Sequence, residues 1–251
     1  MTATTTTSTA PARRSALERA TAMQLAADEY DRFLAQLRRL QPGDWAKPTE
    51  CPGWDVRALV GHVVGMAEMA ASLPEQLKQM RAAGKAGGEF IDALTALQVA
   101  KHAGDSTEQL VARFASIGPK AAKGRRRAPG FVRGRNMPMT QLVGSSREVW
   151  TLGFLVDVIL TRDTWMHRID VARATGLDLE LSGEHDGVLV ADVVAEWAGR
   201  HGRPCTVVLT GPAGGRWTFG AGGAEVSGNA VDFCRGLSGR GEAAFGTVVP
   251  F

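Results

Sequence analysis

Two stretches of the chain carry residue types whose spacing could do chemistry. In RDTWMHRID, Asp163 and His167 are four residues apart and Asp170 follows three later. On a helix this sets a carboxylate and an imidazole one turn apart on the same side. The apolar steps that lead in, Leu152, Val156 and Ile159, continue to Asp163, then Met166 and His167, then Asp170, so these polar groups fall on the face expected to be buried. A buried carboxylate needs a partner, whether an arginine, a histidine or a metal. His62, in GHVVG, offers a second imidazole on the side shared by Leu59, Met66 and Met69. Two histidines and one carboxylate facing a common interior can hold a catalytic metal with one position left open. The same residues also make an ordinary core, with Asp163 and His167 paired to each other or to Arg162 and Arg168, and His62 a satisfied interior histidine. Spacing leaves both readings open.

The elements that must position these groups follow from periodicity. Ser15 to Leu40 is helical, with Leu17, Ala20, Leu25, Phe33, Leu34 and Leu37 on one face, and Pro42-Gly43-Asp44 ends it. A second helix starts near Pro52-Gly53-Trp54-Asp55, carries Val56, Leu59, Val60, Val63 and Ala67, and fades toward Leu73-Pro74. Residues 75–118 read as helical, broken by Gly84 and Gly87-Gly88; the basic stretch 118–138 reads as loop; a long helix runs from about Arg147 to Ala174 and stops at Gly176. The C-terminal third changes character. Val188 to His201 is an amphipathic helix; PCTVVLTG, GRWTFGAG and GAEVSGN are short runs suited to antiparallel strands; NAVDFCRGLSGR is a helix and FGTVVPF an extended end. The expected fold is α+β: a disordered tail over 1–14, a helical bundle over 15–176, and a small α+β domain over 177–251.

Composition excludes several classes. With 251 residues and 44% hydrophobic content the chain can bury a real core. It has no apolar run of roughly eighteen residues, and its polar start lacks the apolar stretch of a signal peptide, so no membrane association is expected. Cys51, Cys205 and Cys234 are far apart and odd in number, which argues against a disulfide framework and for a reducing cytoplasm. Seven basic residues lie between Lys120 and Arg135 with no acid among them, and they leave the rest of a chain of net charge +3 at about −4. Basicity is therefore local, and a nucleic-acid partner is disfavoured. PAGGRWTFGAGG is a hairpin by its turn residues and lacks the pattern of a phosphate loop. His102, His185 and His201 read as surface residues, Cys51 as a small residue at a helix start, and Trp45 and Trp54 as wedges there. No heptad seam fixes the assembly, which is expected to be a monomer or homodimer.

The wording of two segments adds a resemblance. WAKPTECPGWDVRALVGHVVG and RDTWMHRIDVARATG together resemble the two signatures of the mycothiol-dependent maleylpyruvate isomerase family, a branch of the DinB-like four-helix proteins. DFCRGLSGR and VVPF resemble the end of that family's small C-terminal domain. The resemblance implies a DinB-like four-helix bundle with a small α+β domain, and a divalent metal held by His62, Asp163 and His167. Zinc is the metal it favours, with iron or nickel as alternatives. The family's founding isomerase has Glu where this chain has Asp163. Further implied are mycothiol as thiol cosubstrate, a small electrophile as substrate, and a metal-bound thiolate that attacks it, giving an isomerase or an S-transferase. Arg240 matches an arginine that could hold an anionic substrate or the thiol across the domain cleft, and Asp170 could orient a ligand imidazole. Two other readings stay open: a non-haem iron enzyme on the same three ligands, and a non-catalytic ligand-binding or regulatory relative.

Overall fold

The computed structural model describes residues 11–240 and 247–251, and the chain divides into two compact units between Gly176 and Leu177. Helices α1 (Arg19–Leu37), α2 (Val56–Ala71), α3 (Leu73–Ala86), α4 (Phe90–His102) and α5 (Thr107–Arg127) open the first unit. A short α6 (Gly130–Arg133), a hairpin of β1 (Asn136–Val143) and β2 (Ser146–Thr151), and α7 (Leu152–Phe154) follow. A π-helical turn (Leu155–Ile159) then leads into α8 (Leu160–Thr175). Helices α1, α2, α5 and α8 pack on one another as the bundle, and α3 and α4 lie together on the far side of α2. Tyr30 and Phe33 of α1 meet Phe114 of α5 edge-on, with ring centroids 6.0 and 5.2 Å apart, in the centre of that packing.

Helix α5 overturns the expectation of a basic loop from residue 118 onward. It stays helical to Arg127, with Pro119 inside it. The glycines that read as turn signals serve close helix packing instead. A side chain at Gly118 would touch Tyr30, and one at Gly124 would strike the Ala70 carbonyl of α2, at 2.3 Å. The long helix expected from Arg147 also starts later. Residues 136–151 form a hairpin around Gly144, whose φ of 59° suits the first position of a tight two-residue turn. The tail expectation divides. Residues 1–10 lie outside the described residues, whereas Arg13 is held in a β-bridge to Trp150, its N–H donating to the Val149 carbonyl at 2.8 Å.

The second unit comprises a π-helical turn (Gly183–Gly187), α9 (Val188–His201), β3 (Cys205–Thr210), β4 (Gly215–Phe219), β5 (Ala224–Asn229) and α10 (Ala230–Leu237). Its sheet has the order β4-β3-β5, and β5 runs parallel to β3, not antiparallel as the turn spacing suggested. The chain leaving β4 must therefore pass beneath the start of β3 to reach its other edge. Gly220, Gly222 and Gly223 make this crossing with positive φ, and a side chain at Gly223 would sit 1.9 Å from the Pro204 carbonyl. The PAGG half of the glycine-rich run is the turn of the expected β3–β4 hairpin, while Gly220 to Gly223 form a crossover that composition does not distinguish from a second hairpin. Among the described residues no helix is long and apolar enough to cross a membrane.

Candidate metal centre

His62 comes to the bundle interior on the second turn of α2. Asp55 caps that helix, its carboxylate accepting the Ala58 N–H at 2.8 Å. Before the cap, Cys51-Pro52-Gly53-Trp54 forms a turn in which the Trp54 N–H donates to the Cys51 carbonyl at 3.0 Å and Gly53 takes a φ of 79°. Proline then glycine at the central positions is the type II pattern. The turn holds the Trp54 ring 5.3 Å from the His62 ring and 6.3 Å from that of His167.

Asp163 and His167 project from α8, which is buried on nearly every side. The stripe that seemed to lead into them is weaker than its spacing suggested. Leu152 and Val156 are only half-buried, and the π-helical turn adds a residue to the winding between them and Asp163. Asp163 itself keeps 20% of its side chain exposed, so it sits at an edge of the cluster facing solvent, while His62 and His167 are buried. Two groups on neighbouring elements hold the π-helical turn: Arg125 donates from Nε to the Val156 carbonyl at 2.8 Å, and Arg133 pairs with the buried Asp157.

The three residues converge. His62 Nε2 is 3.3 Å from Asp163 Oδ2, and His167 Nε2 is 3.6 Å from Asp163 Oδ1. One donor atom from each lies within 4.8 Å of the other two, the span needed to close on one cation. The opposite nitrogens are occupied elsewhere. His167 Nδ1 lies 2.9 Å from Asp170 Oδ2, and His62 Nδ1 lies 2.8 Å from Gln98 Oε1. Arg168 pairs with Glu29 and Arg173 with Glu50. Burial disfavours the charged ring of His167, but the charge of Asp163, the Asp170 hydrogen bond and the nearby Cys51 thiol outweigh it and push the imidazole up to about 10.

Gln98 and Gln79 went unseen in the sequence, and Cys51 was read only as a small residue at a helix start. The half-buried Cys51 donates its thiol proton to Asp170 Oδ2 at 3.5 Å and lies 3.9 Å from His167 Nδ1, making a second convergent group with those two residues. Gln98 follows Leu94 by four residues and precedes His102 by four, all three on the buried face of α4. The reasoning that singled out α8, polar residues continuing an apolar stripe, would have found it there. His102 is correspondingly not on the surface: it is buried between Glu68 and Asp105, at 3.2 and 2.8 Å. His185 is buried too, in the turn before α9, and His201 is half-buried beside Trp197, with ring centroids 4.3 Å apart. Arg240 lies in the second unit, half-buried in the turn after α10, its N–H donating to the Arg235 carbonyl at 2.9 Å.

Comparison with known proteins gives a family and a fold. Residues 26–172 match the family model of the mycothiol maleylpyruvate isomerase N-terminal domain, a span that includes His62, Asp163 and His167. Two uncharacterized proteins from two strains of Mycobacterium tuberculosis, Rv0036c and MT0041, are each 27% identical over 222 residues, covering 82% of this chain and 79% of theirs. Among solved structures, a mycothiol-dependent maleylpyruvate isomerase superposes with a TM-score of 0.57 at 16% identity, covering 90% of each chain. A histidine-to-alanine mutant of such an isomerase superposes equally well, at 15% identity over 90% of this chain and 91% of its own. At these identities the likeness is one of fold. The family match spans more than half of the sequence, and this chain therefore belongs to the mycothiol maleylpyruvate isomerase N-terminal domain family.

Proposed function

We propose that the protein is a metal- and mycothiol-dependent isomerase or S-transferase acting on a small electrophile in a reducing cytoplasm. The observation that carries this reading is the convergence of His62, Asp163 and His167 with both Nε2 atoms turned toward one carboxylate and both Nδ1 atoms engaged behind. That donor set fits a divalent ion, because neutral imidazoles bind through the nitrogen opposite their hydrogen-bonded one. A divalent ion held there, zinc in the first instance, would act as a Lewis acid that keeps a bound thiol in its thiolate form.

The side chains divide the remaining work. Asp170 and Gln98 orient the two imidazoles, and the Trp54 ring covers them and keeps water from that side. Asp163, the partly exposed member, borders the side from which a thiol can approach. The reading gives Arg240 the task of holding an anionic group of the thiol or the electrophile. Three free cysteines suit a reducing compartment.

The test is the metal content of the purified protein by elemental mass spectrometry, wild type beside His62→Ala and His167→Ala, followed by turnover of a maleylpyruvate-type electrophile with and without mycothiol. The expected result is roughly one zinc ion per chain, lost in both variants, with thiol-dependent turnover lost alongside. Redox-active iron with substrate-dependent oxygen uptake would replace this reading by an iron enzyme. A metal with no thiol-dependent turnover would leave a ligand-binding relative.

A further inference from the structure

Behind His62 runs a chain of buried amides whose direction has only one solution. It starts at the Gly65 carbonyl of α2, which can only accept. Gln79 Nε2, on α3, donates to that carbonyl at 3.0 Å and to Glu75 Oε1 at 3.0 Å, so the amide nitrogen of Gln79 is spent and its oxygen faces onward. Gln98 Nε2, on α4, donates to Gln79 Oε1 at 2.9 Å. The oxygen of Gln98 is then the atom that meets His62 Nδ1, at 2.8 Å, and an amide oxygen can only accept. Nδ1 must carry a proton, and in the neutral ring that leaves the lone pair on Nε2, the atom that faces Asp163. Gln98 and Gln79 are 1% and 6% exposed, so water does not compete for these bonds.

A packing device brings the relay within reach. Gly61 and Gly65 are one turn apart on α2, and α4 lies directly on them. A side chain at Gly65 would come 2.8 Å from Gln98 Cβ and Cγ, and one at Gly61 would come 3.2 Å from His102 Cβ. The GHVVG segment therefore serves two purposes: its histidine faces the cluster and its glycines admit the helix that orients the histidine.

We propose that Gln98, held by Gln79, is a positioning residue that fixes His62 with Nδ1 protonated and Nε2 free to bind a cation, and that the α3–α4 pair is the element supplying this pre-set tautomer. The inference rests on the reading of His62 as a metal ligand for its purpose, though not for its geometry.

The test compares zinc affinity by chelator competition in wild type, Gln98→Leu, Gln98→Glu and Gln79→Leu. Gln98→Leu, which removes the acceptor, is expected to weaken zinc about tenfold or more, the usual cost of losing a group that orients a ligand. Gln98→Glu keeps an acceptor for Nδ1–H and is expected to stay within a few-fold of wild type. Gln79→Leu frees the Gln98 amide to turn over and should fall between them. A mere packing role predicts the opposite order, since leucine fills the layer and glutamate buries a charge there. Zinc affinity unchanged in Gln98→Leu, or better in it than in Gln98→Glu, would overturn the proposal. A long-range proton–nitrogen correlation on the metal-free wild type, at a pH where the His62 ring is neutral, separates this from the metal reading. A proton found on Nδ1 supports the relay even in a protein that binds no zinc; a proton on Nε2, or an even mixture, overturns it.

Discussion

His62 and His167 face the same carboxylate but are held from behind in two different ways. Asp170 grips His167 with a full charge from the same helix, three residues on. His62 is gripped by a neutral amide from another helix, which borrows its orientation from a third. A carboxylate raises the basicity of the imidazole it holds, and the Asp170 hydrogen bond adds to the larger effect of the Asp163 charge in pushing His167 up to about 10, whereas an amide sets direction without adding charge. The pair teaches that local sequence can build one support completely, within a single turn of α8, while the other exists only once α2, α3 and α4 have packed.

The largest expected effect falls on the charged side. Asp170→Asn keeps an oxygen near His167 Nδ1 and removes the charge. Zinc affinity should drop about 100-fold, further than in Gln98→Leu, as read by chelator competition. Equal losses in the two variants would break the comparison, because they would mean that charge adds nothing to orientation. Next comes Gly65→Ala. The new Cβ would sit 2.8 Å from Gln98 Cβ, which is side chain at its root and cannot swing aside, so α4 must shift. Overpacking of this kind costs about 2 kcal/mol, measurable by denaturant unfolding, and zinc should weaken together with it. A variant that loses stability but binds zinc as before would uncouple the relay from the helix contact.

Much of this was legible in the residues, and what was not has a physical reason. The bundle could be read because α1 and α2 state their periodicity openly; Asp163 and His167 were singled out by a stripe that the π-helical turn interrupts, and the family resemblance joined His62 to them. Gln98 was missed and His102 misplaced to the surface because residues 75–118 read as one interrupted helical run, so the steps of four from Leu94 to both of them were not followed. Residues 118–127 misled for a different reason: Gly118 and Gly124 are demanded by contacts with Tyr30 and Ala70, and a demand of that kind is invisible until the partner helix is known. The parallel pairing of β5 failed likewise, since Gly220 to Gly223 serve a crossing under Pro204 that local turn chemistry does not distinguish from a hairpin.

The same α2–α4 contact carries an ionic cluster whose pH dependence offers a separate check. Burial disfavours the charged form of both Glu68 and His102, but their mutual hydrogen bond, with Lys101 and Asp105 beside them, overrides it; Glu68 is held down to about 2 and His102 is raised. Arg113 approaches the same two carboxylates from α5. A lowered carboxylate stabilises above its ordinary value of 4.5 and loses that contribution as pH falls toward 2. A raised histidine stabilises below 6.5 and loses its contribution as pH climbs through its folded value. Glu68→Gln should therefore cost most between those two ordinary values, about 1–2 kcal/mol for a pair that is not fully buried, and progressively less in alkali. Unfolding of wild type and variant across pH measures the gap, and a gap that stays level into alkali would show that His102 is neutral in the fold.

The smallest expected effect decides which of two overlapping groups binds the ion. Cys51, His167 and Asp170 converge as closely as His62, Asp163 and His167 do, and the two sets share His167 through its opposite nitrogens. A hydrogen bond of 2.9 Å between His167 Nδ1 and Asp170 already uses the nitrogen that the cysteine-containing group would need. The Cys51 thiol, 3.5 Å from Asp170, is a weak donor that steadies the carboxylate from its other side. Removing it leaves the Asp170–His167 bond in place. Cys51→Ala should consequently change zinc affinity by no more than about threefold and stability by about 1 kcal/mol or less, with thiol-dependent turnover retained. Loss of zinc in Cys51→Ala together with its retention in His62→Ala would move the ion to the cysteine-containing group. His62 and its amide relay would then be parts of the core and not of the site.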